Sequence, residues 1–165
     1  MRTIYLYIAL VLFLSACRGG GDNQEVSDTS EVEIDVQQLP QRSSVNARAS
    51  EILRDWTAFQ EMETSFDALY RVANYEDLIL VVEDMILKQS ELETSEYPEA
   101  FDTAQVKSRQ KVFKTFLLKL KAAVEYRDDV IPPAKEMIAA YNSFREQFNV
   151  TVNNTLDLNE ILDEN

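Results

Sequence analysis

Leu78-Ile79-Leu80-Val81-Val82-Glu83-Asp84-Met85-Ile86-Leu87 decides the fold class. Its first five residues are consecutive aliphatics and have the length of a buried strand. The acids at 83, 84, 91 and 93 interrupt a strand reading, and apolar residues continue beyond them at helical spacing. Leu78, Val82, Met85 and Leu92 form one stripe, so a helix is predicted over about 75–95. Asn74, with Asp77 three residues later, supplies its N-cap. Ile79, Leu80, Val81, Ile86 and Leu87 carry the apolar surface nearly round the helix. Leu80 and Leu87 lie opposite the main stripe, which makes this helix either central in the fold or the bearer of an exposed contact patch.

The same periodicity extends both ways. Upstream, Ile52, Trp56, Phe59, Phe66, Tyr70 and Ala73 recur at steps of three, four and seven, predicting a helix over 46–73. Downstream, Ser95 to Phe101 is a loop containing Pro98. Asp102 with Gln105 matches a capping box, and the next helix runs to about 128 on Val106, Phe113, Leu117, Leu120 and Val124. Pro132-Pro133 suits the first turn of a last helix, whose stripe is Met137, Tyr141, Phe144, Phe148 and Val152. The chain has three glycines, all at 19–21, and four prolines, so tight turns are scarce. The expected fold is all-α, an up-down-up-down four-helix bundle over 44–152, with a three-helix bundle and a crossing fourth helix as the alternative. Residues 153–165 read as an acidic, fraying tail.

The N-terminus has its own logic. Met1-Arg2 is a short positive start, Ile4 to Leu14 is an apolar run too short to span a bilayer, and Leu14-Ser15-Ala16-Cys17 follows. This motif resembles the lipobox of bacterial lipoproteins. The resemblance implies a signal peptide over 1–16, cleavage between Ala16 and Cys17, and acyl chains on Cys17 that hold the protein at a membrane. The position after the lipidated cysteine is Arg18 rather than the Asp that marks inner-membrane retention, which implies the outer membrane. Residues 17–43 are expected to be a disordered acidic tether, with no cation between Arg18 and Arg42. Within it, Val32-Glu33-Ile34-Asp35-Val36 alternates strictly. That pattern is read either as chance aliphatics or as a strand that pairs with a partner's sheet edge. Pro98-Glu99-Ala100-Phe101-Asp102, with Val106-Lys107-Ser108-Arg109 and Lys114-Thr115, is similar to a pattern in small helical lipoproteins of Gram-negative envelopes, a resemblance that implies fold and place but no activity.

Composition narrows the function. Loss of residues 1–16 removes Arg2 and no acid, leaving 15 Lys+Arg against 29 Asp+Glu, a formal charge of −14. So acidic a chain is not expected to bind nucleic acid or anionic lipid directly. It has no histidine, and the lipobox resemblance implies that its single cysteine is taken by lipid. The usual zinc, haem, Ser-His and thiol chemistries are therefore not expected, nor is a metal or any cofactor beyond the covalent lipid. Glu63 falls on the first helix's apolar stripe, eleven residues after Ile52 and so within about 20° of it. Three readings fit it: a pair with Arg109 fixing helix register, a ligand site, or an exposed end position. Lys107, Lys111, Lys114 and Lys121 give the third helix a basic edge, which either meets acids on neighbouring helices or receives an acidic partner. The expectation is a lipid-anchored, non-catalytic envelope protein acting as an interaction or accessory subunit with a protein partner. The competing expectation is a periplasmic binding or chaperone-like module for an apolar ligand or unfolded polypeptide.

Overall fold

The computed structural model describes residues 34–163, with side chains as far as Asn154. The fold is all-α: α1 (Ala47–Arg54), α2 (Thr57–Ala68), α3 (Tyr75–Thr94), α4 (Ala104–Tyr126) and α5 (Ile131–Asp163), with short 3-10 turns at Val36–Gln38, Leu69–Arg71 and Glu99–Phe101. Helices α2 to α5 pack in chain order, and α1 lies against α5 and α2. From α2 to α5 each consecutive pair is antiparallel. Trp56, at the start of α2, donates from Nε1 to Ser95 Oγ just past the end of α3 (2.9 Å), and Tyr75, opening α3, donates its hydroxyl to the Val124 carbonyl near the end of α4 (2.6 Å).

Helix α5 runs alongside α4 rather than across it. Lys119 pairs with Glu136, the Phe113 and Tyr141 rings lie 4.7 Å apart, and Phe101, just before α4, lies 4.6 Å from Phe148. Partners thus rise on one helix as they fall on the other, which excludes a crossing fourth helix. The bundle closes between α2 and α5 through large rings: Phe59 to Phe148 at 5.3 Å and Phe66 to Tyr141 at 4.1 Å. Burial of each such side chain contributes about 1.5–3 kcal/mol.

Four local features depart from the sequence reading. The expected helix over 46–73 is broken at Asp55–Trp56, where Trp56 has φ −91° and ψ 88°. The indole is pinned by Ser95 and packed on Tyr97 at 4.7 Å, and these contacts outweigh an uninterrupted backbone ladder. The Leu53 carbonyl accepts both from Trp56 N–H (3.2 Å) and from Gln60 Nε2 (2.8 Å), which closes the broken end. The break rotates α1, so Leu53 and Ala49 enter the core while Ile52 is only half-buried. Helix α4 is capped by Thr103, which accepts from Val106 N–H (3.2 Å); Asp102 instead pairs with Lys107. Beyond Val152 the chain remains helical to Asp163 instead of fraying.

The fourth departure concerns the tether. Its described part, from Ile34, is folded: Ile34 and Leu39 belong to the core. Ile34 N–H donates to the Ala73 carbonyl (3.4 Å), and Val36 opens a 3-10 turn capped by Asp35, so the alternating segment is here neither strand nor free coil. The α4 C-terminus is closed by Arg127 at φ 54°, with Asp128 N–H on the Ala123 carbonyl (2.9 Å). This left-handed position usually takes glycine, of which the chain has none after residue 21. The Arg127 guanidinium lies 5.1 Å from the Tyr75 ring, a contact that glycine would not make.

Candidate functional site

Glu63 is the central polar group of the bundle. It projects from α2 toward α5, and its side chain is 17% exposed. The Tyr141 hydroxyl donates to Oε1, and Arg145 Nη1 donates to Oε2. Arg42 Nη1 lies 3.2 Å from the same Oε2 and 2.8 Å from Asp67 Oδ1. Tyr141 and Arg145 are four residues apart on α5 and therefore share a face. Tyr141 is fully buried and Arg145 is 6% exposed. Burial pushes the Tyr141 phenol well above its usual range, and the adjacent Glu63 carboxylate pushes it further, so the phenol is held as a donor.

The cluster also fastens the N-terminal segment. Arg145 Nε donates to the Ser43 carbonyl (2.7 Å). One turn before it, Asn142 accepts from Ser43 N–H (2.7 Å) and donates to the Gln41 carbonyl (3.1 Å). One turn after it, Asn149 Oδ1 accepts from Asn46 N–H (2.7 Å). On the other side, the Tyr70 hydroxyl donates to the Pro40 carbonyl (2.8 Å). Residues 40–46 have no regular ladder of their own, so side chains at 142, 145 and 149 on one face of α5 supply the partners that a strand would otherwise provide.

Arg109 is not the partner of Glu63. It is exposed on α4 and lines a shallow cleft with Asn142 and Glu146. The stripe angle placed Glu63 correctly, but the nearer cation comes from α5, whose rings seat α2 against it. Arg145 carries the same sequence signal as Glu63, a charge lying between Phe144 and Phe148 on an apolar stripe. Arg42 carries no such signal, because nothing in the sequence predicts that its segment folds onto the bundle.

The basic edge of α4 is largely neutralised. Lys107 pairs with Asp102, Lys114 with Glu93, and Lys121 with Glu125 at 3.3 Å, while Lys111 makes no ion pair among the described residues. Among the described residues no group of three or more His, Cys, Asp or Glu side chains is placed to hold a metal, and no helix is long and apolar enough to cross a membrane. Ala16 and Cys17 lie outside the described residues. Comparison with protein-family models, curated proteins and solved structures finds no match to this chain.

Proposed function

We propose that this chain is a bacterial envelope lipoprotein, anchored through acylated Cys17 and non-catalytic, whose helical domain serves as an interaction or accessory subunit. The anchor reading rests on Leu14-Ser15-Ala16-Cys17 after a short apolar run, and Arg18 favours the outer membrane. The interaction reading is carried by one observation. Leu80 and Leu87, seven residues apart on α3, are 66% and 53% exposed, although the interior of the bundle is filled by rings. Against the chaperone-like alternative, Tyr141 and Glu63 satisfy one another inside the bundle rather than line an open apolar chamber.

Two measurements test this reading. Cys17→Ala should move the protein from the membrane to the soluble fraction of lysed cells; unchanged membrane partition removes the anchor. A photo-crosslinking residue at Leu87 should give a discrete adduct in intact cells that disappears when Leu80 is changed to Glu. No adduct at Leu87, or one indifferent to Leu80, refutes contact through this face.

A further inference from the structure

The exposed leucines of α3 belong to a wider face. A groove between α3 and α4 is lined by Ile79 and Glu83 from one helix and by Lys121 and Glu125 from the other. Leu80 and Leu87 border it on α3. On its α4 border stands Leu118, 45% exposed, seven residues before Glu125 and so within about 20° of it. The two borders carry opposite charge. Between the leucines of α3, Glu83 and Asp84 are exposed and make no ion pair among the described residues. On α4, Lys111 and Lys121 flank Leu118. Lys111 makes no ion pair among the described residues, and Lys121 meets Glu125 of its own helix at 3.3 Å. An acidic apolar strip thus lies beside a basic apolar strip, and such a face is its own complement when turned over.

We propose that this face binds a second copy of the chain, with α3 of each copy packed against α4 of the other about a twofold axis parallel to the bundle. The proposal rests on reading Leu80 and Leu87 as an interaction surface, and it names the partner. A parallel twofold axis leaves every residue at its own height, so residues that are level in one chain face each other across the contact. Tyr75 is level with Val124 and Glu93 with Lys114, which sets Leu118 level with the stretch between Leu80 and Leu87. Those leucines are one heptad, about 10.5 Å, apart, and the partner's Leu118 enters between them. Glu83 and Lys121 share one groove and are therefore level, so Glu83 meets the partner's Lys121, and the twofold axis repeats the pair.

Charge excludes the competing symmetry. A twofold axis across the helices would lay α3 on α3, with Leu80 on Leu87 but Glu83 on Asp84, carboxylate against carboxylate. The parallel axis also brings the N-terminal segments of both copies to the same end, as two chains tethered to one membrane require. The net charge of −13 repels a second copy at a distance, but salt screens that field beyond about 8 Å and leaves pairs in contact. The 20 residues of α3 span about 30 Å, and two neighbouring helices are about 20 Å wide. The face therefore offers about 600 Å² per copy, or about 1,200 Å² in all, the lower bound for a specific interface.

Two tagged forms of the full chain, one with Leu87→Cys and the other with Leu118→Cys, are mixed in detergent micelles in large excess over protein and oxidised. A disulfide joining position 87 of one form to position 118 of the other is expected, located by mass spectrometry of the linked peptides. Glu83→Lys in both forms, or Lys121→Glu in both, places like charges at both contacts and should lower the yield by about tenfold. A form with Glu83→Lys mixed with one carrying Lys121→Glu restores opposite charges at both contacts and should recover the yield. An unfolded variant could not be rescued in this way. Three results overturn the proposal: no link between 87 and 118, a link between copies of Asp84→Cys that exceeds it, or a charge-swapped mixture no better than either variant alone. If the 87–118 link is absent while the photo-crosslink at Leu87 captures a different protein in cells, the twofold contact fails and the interaction face stands. If both are absent, both fail.

Discussion

The Glu63 cluster and Gln89 are two solutions to the same problem, a polar side chain turned into an apolar bundle. Glu63 is met by a phenol and two guanidiniums, and the cluster extends outward to hold a whole backbone segment. Gln89, on the neighbouring α3, is 1% exposed, and neither end of its amide has a partner among the described residues. The difference follows from charge. An unpaired carboxylate in that setting would cost several kcal/mol, enough to unfold a marginal domain, whereas an unpaired amide costs about 1–3 kcal/mol and can be carried. A charge on a core stripe therefore compels a built site, and a neutral amide does not.

The largest expected effect is at Arg145. Arg145→Met takes from Glu63 its most buried cation, leaving Arg42 and the Tyr141 hydroxyl, and also unties the Ser43 carbonyl; it should cost about 3–5 kcal/mol in chemical denaturation, whereas Glu63→Met with Arg145→Met should recover part of that loss. If the double variant is as unstable as the sum of the singles, the two residues are not coupled and the comparison fails at its first step.

Next comes the segment that the cluster fastens. Leu39→Ala should cost about 2–4 kcal/mol, the usual effect of emptying a buried leucine site. A loss under about 0.5 kcal/mol would mean that residues 34–46 only rest on the bundle.

Tyr141→Phe removes one hydrogen bond to a charged acceptor and should cost about 1.5–3 kcal/mol. It also carries a pH signature. The folded-state phenol lies above the unfolded value, so its stabilisation is fully present below about pH 10 and is lost as pH rises from there toward the folded value. Tyr97, pushed up to about 12 chiefly by burial, acts in the same direction. The alkaline fall in melting temperature should therefore be shallower in Tyr141→Phe than in wild type, though not abolished. An unaltered slope would place the alkaline transition elsewhere.

The smallest effect has the opposite sign. Gln89→Met keeps the volume and removes two unpaired polar atoms, so it should stabilise by about 1 kcal/mol. A destabilisation of that size would show that the amide is satisfied in solution, and the contrast with Glu63 would disappear.

The sequence by itself determined the helices and their order. Apolar residues at three-and-four spacing, Asn74 and Pro132-Pro133 at helix starts, and no glycine after residue 21 leave little else for the chain to form. It also placed Glu63 on a buried face, because the angle along one helix is a local property. Everything that required knowing which faces meet was decided by tertiary packing. The first helix breaks at Trp56 because Ser95 and Tyr97, some forty residues away, hold the indole. Glu63 is met from α5 instead of α4 because the rings of Phe59, Phe66 and Tyr141 seat α2 against α5. The segment 34–46 looks like polar linker, with one acid, one base and only scattered aliphatics. It is ordered because Asn142, Arg145 and Asn149 stand in one row along α5, and a row on one helix acquires meaning only when a distant stretch of backbone lies beside it.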